Sequence, residues 1–288
     1  MAKTREIRRR IRSIEKTRQI TRTMEMIATS KLKRASDRVV AARPYARRLA
    51  DVISQLLDPE LRERYPLLRQ PAPMRRAAVL LLTSNRGQAG AFHVNLIREA
   101  KGLMARLRAE GVEPELYVVG RKAIAHFRFA RIEMKGSRTD ITDRPTTADA
   151  ASLVEPLVAR FVRGEIDAIH VVHAQFRSAL STPPAVLRVL PIEPAARGKG
   201  SAASSFILTP SADVLLGQLL PLYVRNMVFR ALLETAAAEQ GARRTAMKNA
   251  TDNAGEMLDT LRRQYNRMRQ AAITQEIAEI VGGAAAQE

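Results

Sequence analysis

The chain has 288 residues, with 48 Lys and Arg against 29 Asp and Glu, a formal net charge of +19, and neither Cys nor Trp. Such a length holds two structural units or one domain with long appendages, and the absence of Cys excludes disulfides, thiolate metal sites and a cysteine switch. No run of about 18 apolar residues is present to span a bilayer, and the start, Met1-Ala2-Lys3-Thr4-Arg5-Glu6-Ile7, carries no apolar stretch behind its charges, so a cytoplasmic setting is expected rather than secretion.

The first segment reads as one long helix. Apolar or small residues recur at Ile7, Ile11, Ile14, Thr17, Ile20, Met24, Ile27/Ala28, Leu32, Ala35, Val39 and Ala42, and steps of three and four mark one helical face. Thr4 is placed to cap the start, with Glu6 in the first turn. Pro44 interrupts the pattern, which resumes through Leu49, Ile53 and Leu56 and ends at Asp58-Pro59. About 50 residues at ~1.5 Å each give roughly 75 Å, far beyond the usual helix of a compact domain.

The middle has another texture. Residues 77–84 are a short apolar run that reads as a buried strand, followed by a helical pattern through Leu96, Leu103 and Leu107. Residues 116–119 form a second strand, 123–129 a short helix, 153–161 a helix and 166–172 a third strand; 186–190 and 206–208 are further candidates. Alternation of strand and helix implies a mostly parallel sheet covered by helices. Gly198-Lys199-Gly200-Ser201 reads as a flexible loop.

The last segment is the longest helix. Ser211 can cap it, with Asp213 in the first turn, and Pro221 is expected to kink or restart it. Its best seam is Ala246, Ala250, Ala254, Met257/Leu258, Leu261, Tyr265, Met268 and Ala272, with Ile280 beyond, a heptad-like pattern. The tail from Gly282 is expected to fray.

The resulting organisation is α/β: an N-terminal helix (1–57), a Rossmann-like α/β domain (75–210) and a C-terminal helix (211–288). Two end helices that overshoot the domain bury their stripes most economically against each other, as an antiparallel coiled coil. Met24, Ala28 and Leu32 then face a seam of Ala250, Ala254, Leu261 and Met268, where small residues permit close approach. The alternative is that both helices wrap a larger helical core.

No motif points to catalysis, a metal or a cofactor. Asn85-Arg86-Gly87-Gln88-Ala89-Gly90 follows a strand and precedes a helix, where a phosphate could sit. It matches neither glycine-rich phosphate pattern and reads as a tight turn, so tight ATP binding by this chain is not expected. His170 and His173, three apart on a strand, fall on opposite faces and cannot share a metal; His93 and His126 have no ligand cluster in sequence. The charge is uneven: residues 1–57 hold 16 Lys and Arg against 5 Asp and Glu, and residues 211–288 hold 9 of each. The basic first helix, with Arg5, Arg8, Arg9, Arg10, Arg12, Lys16, Arg18 and Arg22, fits nucleic-acid binding, a solvated face, or a shaft held among acidic protein loops. The first 44 residues lack the aromatics that stack on bases.

Met24-Glu25-Met26-Ile27-Ala28-Thr29-Ser30-Lys31-Leu32, followed by Arg43-Pro44-Tyr45, resembles the N-terminal signature of the ATP synthase gamma subunit family. Met247-Lys248-Asn249-Ala250-Thr251-Asp252-Asn253-Ala254-Gly255 resembles its most distinctive C-terminal block, which Tyr265-Asn266-Arg267 and residues 269–277 continue; Asn85-Arg86-Gly87 and Leu180-Ser181-Thr182-Pro183 are weaker matches. The resemblance covers the whole chain. It implies a non-catalytic rotor shaft of F-type ATP synthase, inside a ring of three alpha and three beta subunits, coupling ion flow to ATP synthesis or hydrolysis there. The α/β domain is implied to meet epsilon and the ring of c subunits, at the cytoplasmic face of the bacterial plasma membrane. Arg269, Gln270 and Thr274 fall where the family meets an acidic loop of beta. The family loop commonly reads Asp-Arg-Gly-Leu-Cys-Gly-Gly where this chain has Asn85-Arg86-Gly87-Gln88-Ala89-Gly90-Ala91. That departure and Pro221 suggest a divergent branch, such as the alternate synthases some bacteria carry, and the missing cysteines exclude chloroplast-type redox control. A nucleic-acid-binding coiled-coil protein is the competing reading.

Overall fold

A computed structural model describes residues 2–56, 64–192 and 212–285. The first helix, α1 (Ala2–Leu56), starts two residues ahead of the expected Thr4 cap. Then come a single 3-10 turn (Pro66–Leu68), β1 (Arg76–Leu82), α2 (Phe92–Ala109), β2 (Glu113–Val119), α3 (Arg121–Phe129), β3 (Gly136–Arg138), α4 (Thr147–Val162), β4 (Ala168–Ala174), β5 (Pro184–Leu190) and α5 (Ala212–Ala285). The expected Asp58-Pro59 stop, the 198–201 loop, the 206–208 strand and the Ser211 cap lie outside the described residues.

The sheet has the order β3-β2-β1-β4-β5. β1 pairs parallel with β2 and β4, β2 parallel with β3, and β5 closes the edge antiparallel to β4. The alternating pleat explains the apolar run of β1: a strand buried on both faces has no polar side. Ala77, Val79 and Leu81 point into a core shared with α2 and α3. Ala78, Leu80 and Leu82 point into the other core, with Leu153, Val154, Leu157 and Phe161 of α4, Leu49 and Ile53 of α1, and Leu216, Leu220, Val224 and Val228 of α5. β3 escaped sequence reading because Gly136-Ser137-Arg138 is short and polar, an edge strand without a pattern.

Two details pin the helices on the sheet. Thr146 caps α4 by accepting from Asp149 N, while the Asp149 carboxylate accepts from Thr146 N, a reciprocal capping box. Arg160 of α4 donates to both Glu115 and the Tyr117 hydroxyl on β2, and its hydrogen bond holds the Glu115 carboxyl below the usual range despite desolvation.

Pro221 does not divide α5 into two helices, and α1 is continuous through Pro44. Pro156 likewise lies inside α4. A proline removes one helical N–H and so orphans the carbonyl four residues earlier. Those carbonyls belong to Val40, Ser152 and Gly217, all exposed residues, so water can take the missing donor's place. Helix α5 also continues through Gly282-Gly283 to Ala285, where fraying was expected.

By internal contacts the chain forms two compact units, one of residues 1–28 with 243–288, the other of residues 29–242. Parts of α1 and α5 belong to each.

Candidate functional site

The first unit is a pair of helices. Thr21 and Thr251 meet through their hydroxyls at 2.8 Å, Arg262 donates to Glu15 at 2.7 Å, and Arg18 lies beside Gly255. As numbers fall on α1 they rise on α5, so the helices run antiparallel, as expected. On α5 the inward positions are Met247, Thr251, Ala254, Leu258, Leu261, Tyr265, Met268 and Ala272, all buried or half-buried. They alternate steps of four and three, the spacing of a coiled-coil seam. Of the expected seam residues, Ala254 and Ala28 are buried, and Met24, Ala250, Leu261 and Met268 are half-buried. Met247 and Thr251 take the central places that Ala246 and Ala250 were expected to hold, and Leu258 rather than Met257 faces in.

The same correction applies to α1. Ile20, placed on the stripe by its apolarity, is 60% exposed, while Thr21 is 9% exposed. The hydroxyl chemistry explains it. Thr21 can donate to Arg18 O at 3.0 Å and Thr251 to Met247 O at 2.9 Å, so buried hydroxyls there leave no donor without an acceptor. Thr17 is likewise exposed.

Arg269, Gln270 and Thr274 all lie exposed on α5. Arg269 and Gln270 flank the half-buried Met268 on its C-terminal side, and consecutive helical positions turn by about 100°, which carries both off the seam. The Thr274 hydroxyl donates to Gln270 O at 3.0 Å, leaving the Gln270 side chain unencumbered by it.

In the second unit, α5 packs on α1 as well. Leu32, the remaining expected seam residue, joins Val39 in a cluster with Leu233 and Ala237 of α5 and Phe176. Ten consecutive residues of α5, Ala231 to Gln240, are buried. A helix enclosed all round is normally apolar, yet Glu234, Thr235, Glu239 and Gln240 are among them. Thr235 Oγ1 accepts from Ala174 N at 3.4 Å. Glu234 takes Arg230 at 3.3 Å and faces His173 on β4, Oε2 to Nδ1, at 3.9 Å. Desolvation pushes the Glu234 carboxyl up and the His173 imidazole down to about 4, so the histidine is neutral near pH 7 and the contact is not an ion pair.

The side chain of Asn85, in the turn after β1, is bonded to backbone. Asn85 donates through Nδ2 to Thr139 O at 2.7 Å and Ile141 O at 3.2 Å, and accepts through Oδ1 from Arg121 N at 2.9 Å. An aspartate there could make only the last of these bonds. The left-handed positions are Gln88 (φ 61°) and Gly90 (φ 55°), so Gly87 is not the residue whose freedom the turn needs. Among the described residues no three His, Cys, Asp or Glu are grouped to hold a metal ion. His170 and His173 take opposite parities on β4, as expected.

An antiparallel helix pair made by the two chain ends, with an α/β sheet of order 3-2-1-4-5 between them in sequence, is the fold of central-stalk chains. Among solved structures, a chain of the Euglena gracilis mitochondrial ATP synthase OSCP/F1/c-ring matches with a TM-score of 0.68 at 20% identity, covering 99% of this chain and 95% of that one. A chain of the Tetrahymena thermophila mitochondrial ATP synthase central stalk and c-ring matches with a TM-score of 0.62 at 22% identity, covering 80% and 99%. The ATP synthase family model matches residues 3–287. The ATP synthase gamma chain of Gemmatimonas aurantiaca is 58% identical, covering 99% of both chains, and that of Saccharopolyspora erythraea is 44% identical, covering 98% of this chain and 97% of that one. The chain belongs to the ATP synthase gamma chain family, the central stalk subunits of F-type ATP synthase. It is thereby a peripheral part of a membrane-bound complex, and among its described residues no helix is long and apolar enough to cross a membrane. Nothing in these comparisons supports nucleic-acid binding.

Proposed function

We propose that this subunit is a non-catalytic rotor shaft that transmits angle to nucleotide chemistry through the exposed face of α5 at Arg269, Gln270 and Thr274. In this reading residues 1–57 and 211–288 are the shaft, seated in a ring of alpha and beta subunits. Residues 75–210 are its foot, bearing on epsilon and the c ring at the cytoplasmic face of a bacterial membrane. The shaft changes the relative free energies of alternative beta conformations, which is how a bound element shifts a population. The observation that carries the reading is the exposure of Arg269 and Gln270 beside a seam that holds Met268. A guanidinium fork grips a carboxylate bidentately, and the adjacent amide adds a donor and an acceptor.

Arg269→Ala with Gln270→Ala in the assembled complex tests it. A charged contact partly shielded from water is worth about 1.5–3 kcal/mol, so ATP turnover is expected to fall by about tenfold or more. Assembly is unaffected, because the seam residues are untouched. Wild-type turnover with intact ion pumping in the double variant would refute the role.

A further inference from the structure

Lys31, Arg34 and Arg38 stand at intervals of three and four on α1, which puts their side chains on one face. The segment between β3 and α4 brings Asp143 and Arg144 to that face, and Gln240 of α5 closes it. With Ala35 they line a cavity of about 400 Å³. Asp143 and Gln240 also line a second cavity of about 270 Å³, together with Thr83, Ser84, Asn85 and Arg86 from the end of β1 and with Glu239. That second cavity lies at the carboxyl ends of the parallel strands, beside the strand from which the chain order runs outward both ways, where open α/β sheets take ligands.

The charges are unbalanced. Lys31 Nζ donates to Asp143 Oδ2 at 2.6 Å. Arg86 and Arg144 also act on that carboxylate, which is held below the usual range, first by the Lys31 hydrogen bond. Arg34 turns its guanidinium to Ser30 O and Ser30 Oγ at 3.5 and 3.3 Å. Arg38 and Arg144 form no side-chain ion pair among the described residues. In the larger cavity one carboxylate therefore stands among Lys31, Arg34, Arg38 and Arg144. Guanidinium groups match the oxygens of phosphate-type anions in paired hydrogen bonds. Ala35 is the only apolar residue of the lining, and the cationic head groups favour the anionic part of any ligand.

We propose that Lys31, Arg34, Arg38 and Arg144 form a binding site for a small multivalent oxyanion of the pyrophosphate class, in which Asp143 is the resident counter-charge that the ligand displaces from Lys31. The site is independent of the beta-facing role of Arg269 and Gln270.

The test is calorimetric titration of the full chain with inorganic pyrophosphate at about 0.15 M salt, where diffuse surface attraction is screened. One-to-one saturable binding is expected. Lys31→Ala with Arg144→Ala weakens it by about tenfold or more, since two charged hydrogen-bonding groups are lost. Asp143→Asn tightens it, an outcome that misfolding cannot produce. Arg8→Ala with Arg12→Ala, an equal loss of charge at exposed positions of α1, leaves it unchanged, and ATP binds no more tightly than inorganic triphosphate. No saturable binding, equal weakening by the Arg8/Arg12 pair, or weaker binding by the Asp143→Asn chain would overturn the site. So would saturation by a glutamate-rich peptide that pyrophosphate fails to displace, which would make the face a docking surface for acidic polypeptide.

Discussion

Gly120 sits where β2 turns into α3 with φ 105°. A Cβ there would stand 2.4 Å from Thr83 Oγ1 and within 2.8 Å of the backbone of residues 83 and 84. Thr83 cannot swing away cheaply, because its hydroxyl donates to Val119 O at 2.6 Å. Gly120→Ala is therefore expected to destabilise the fold by about 3 kcal/mol or more, combining backbone strain with overpacking; a denaturation midpoint at the wild-type position would refute this. The buried histidines set a pH dependence. Desolvation lowers His170 and His173 from 6.5 to about 4, so the unfolded chain binds protons first as pH falls. Their contribution is complete above about pH 6.5 and is lost toward pH 4, up to roughly 3 kcal/mol each. Glu234 runs the other way: its raised pKa gives stability at low pH that fades as pH rises through it. The thermal midpoint should drop between pH 7 and 4.5, and His170→Gln with His173→Gln should flatten that drop. An unchanged slope would show that other groups carry it. Sequence spacing placed the two histidines on opposite faces, but nothing in it revealed Glu234 opposite His173, because that meeting joins residues 61 apart on different elements.

At the scale of elements, periodic stripes and short apolar runs located every α-helix and four of the five strands among the described residues, and heptad spacing identified the pairing of the chain ends. The seam itself was misread by one residue in places, and for one reason. Apolarity selected Ile20, whereas the helix pair buries Thr21, and of the offered pair Met257/Leu258 it is Leu258 that is buried. A threonine becomes a seam residue only when a hydroxyl faces it from the other helix, and no single-chain periodicity shows that. Two hydroxyl protons serve the row Arg18 O, Thr21 Oγ1, Thr251 Oγ1 and Met247 O. Thr21→Val and Thr251→Val are each expected to cost about 1 kcal/mol. The double variant should cost less than the two together, by about 0.5 kcal/mol or more, because the groups are in contact. Strict additivity in chemical denaturation would mean the hydroxyls act separately. The restart expected at Pro221 fails for a related reason: the cost of a proline in a helix depends on whether a carbonyl one turn back faces water, which burial decides.

For the whole molecule, the family was legible because its terminal blocks coincide with the helix pair, where seam and surface both constrain sequence. The α/β domain was less legible, since its edge strand and its charged cavity are assembled from distant segments. The Asn85 departure illustrates this: read alone it removes a charge, while in the fold its amide ties two carbonyls that aspartate could not. Turnover of the assembled complex belongs to this scale too. On the proposed role of Arg269 and Gln270, their loss acts at particular angles of the shaft, so rate should suffer while subunit composition does not.

The ten buried residues from Ala231 to Gln240 have a mechanical meaning. A helix packed on several sides resists turning about its own axis, because rotation drives side chains such as Leu233 and Ala237 into Leu32, Val39 and Phe176. On the proposed rotor role this stretch of α5 acts as a key: a twist applied to it passes to the residues it packs on, and slippage requires those contacts to open.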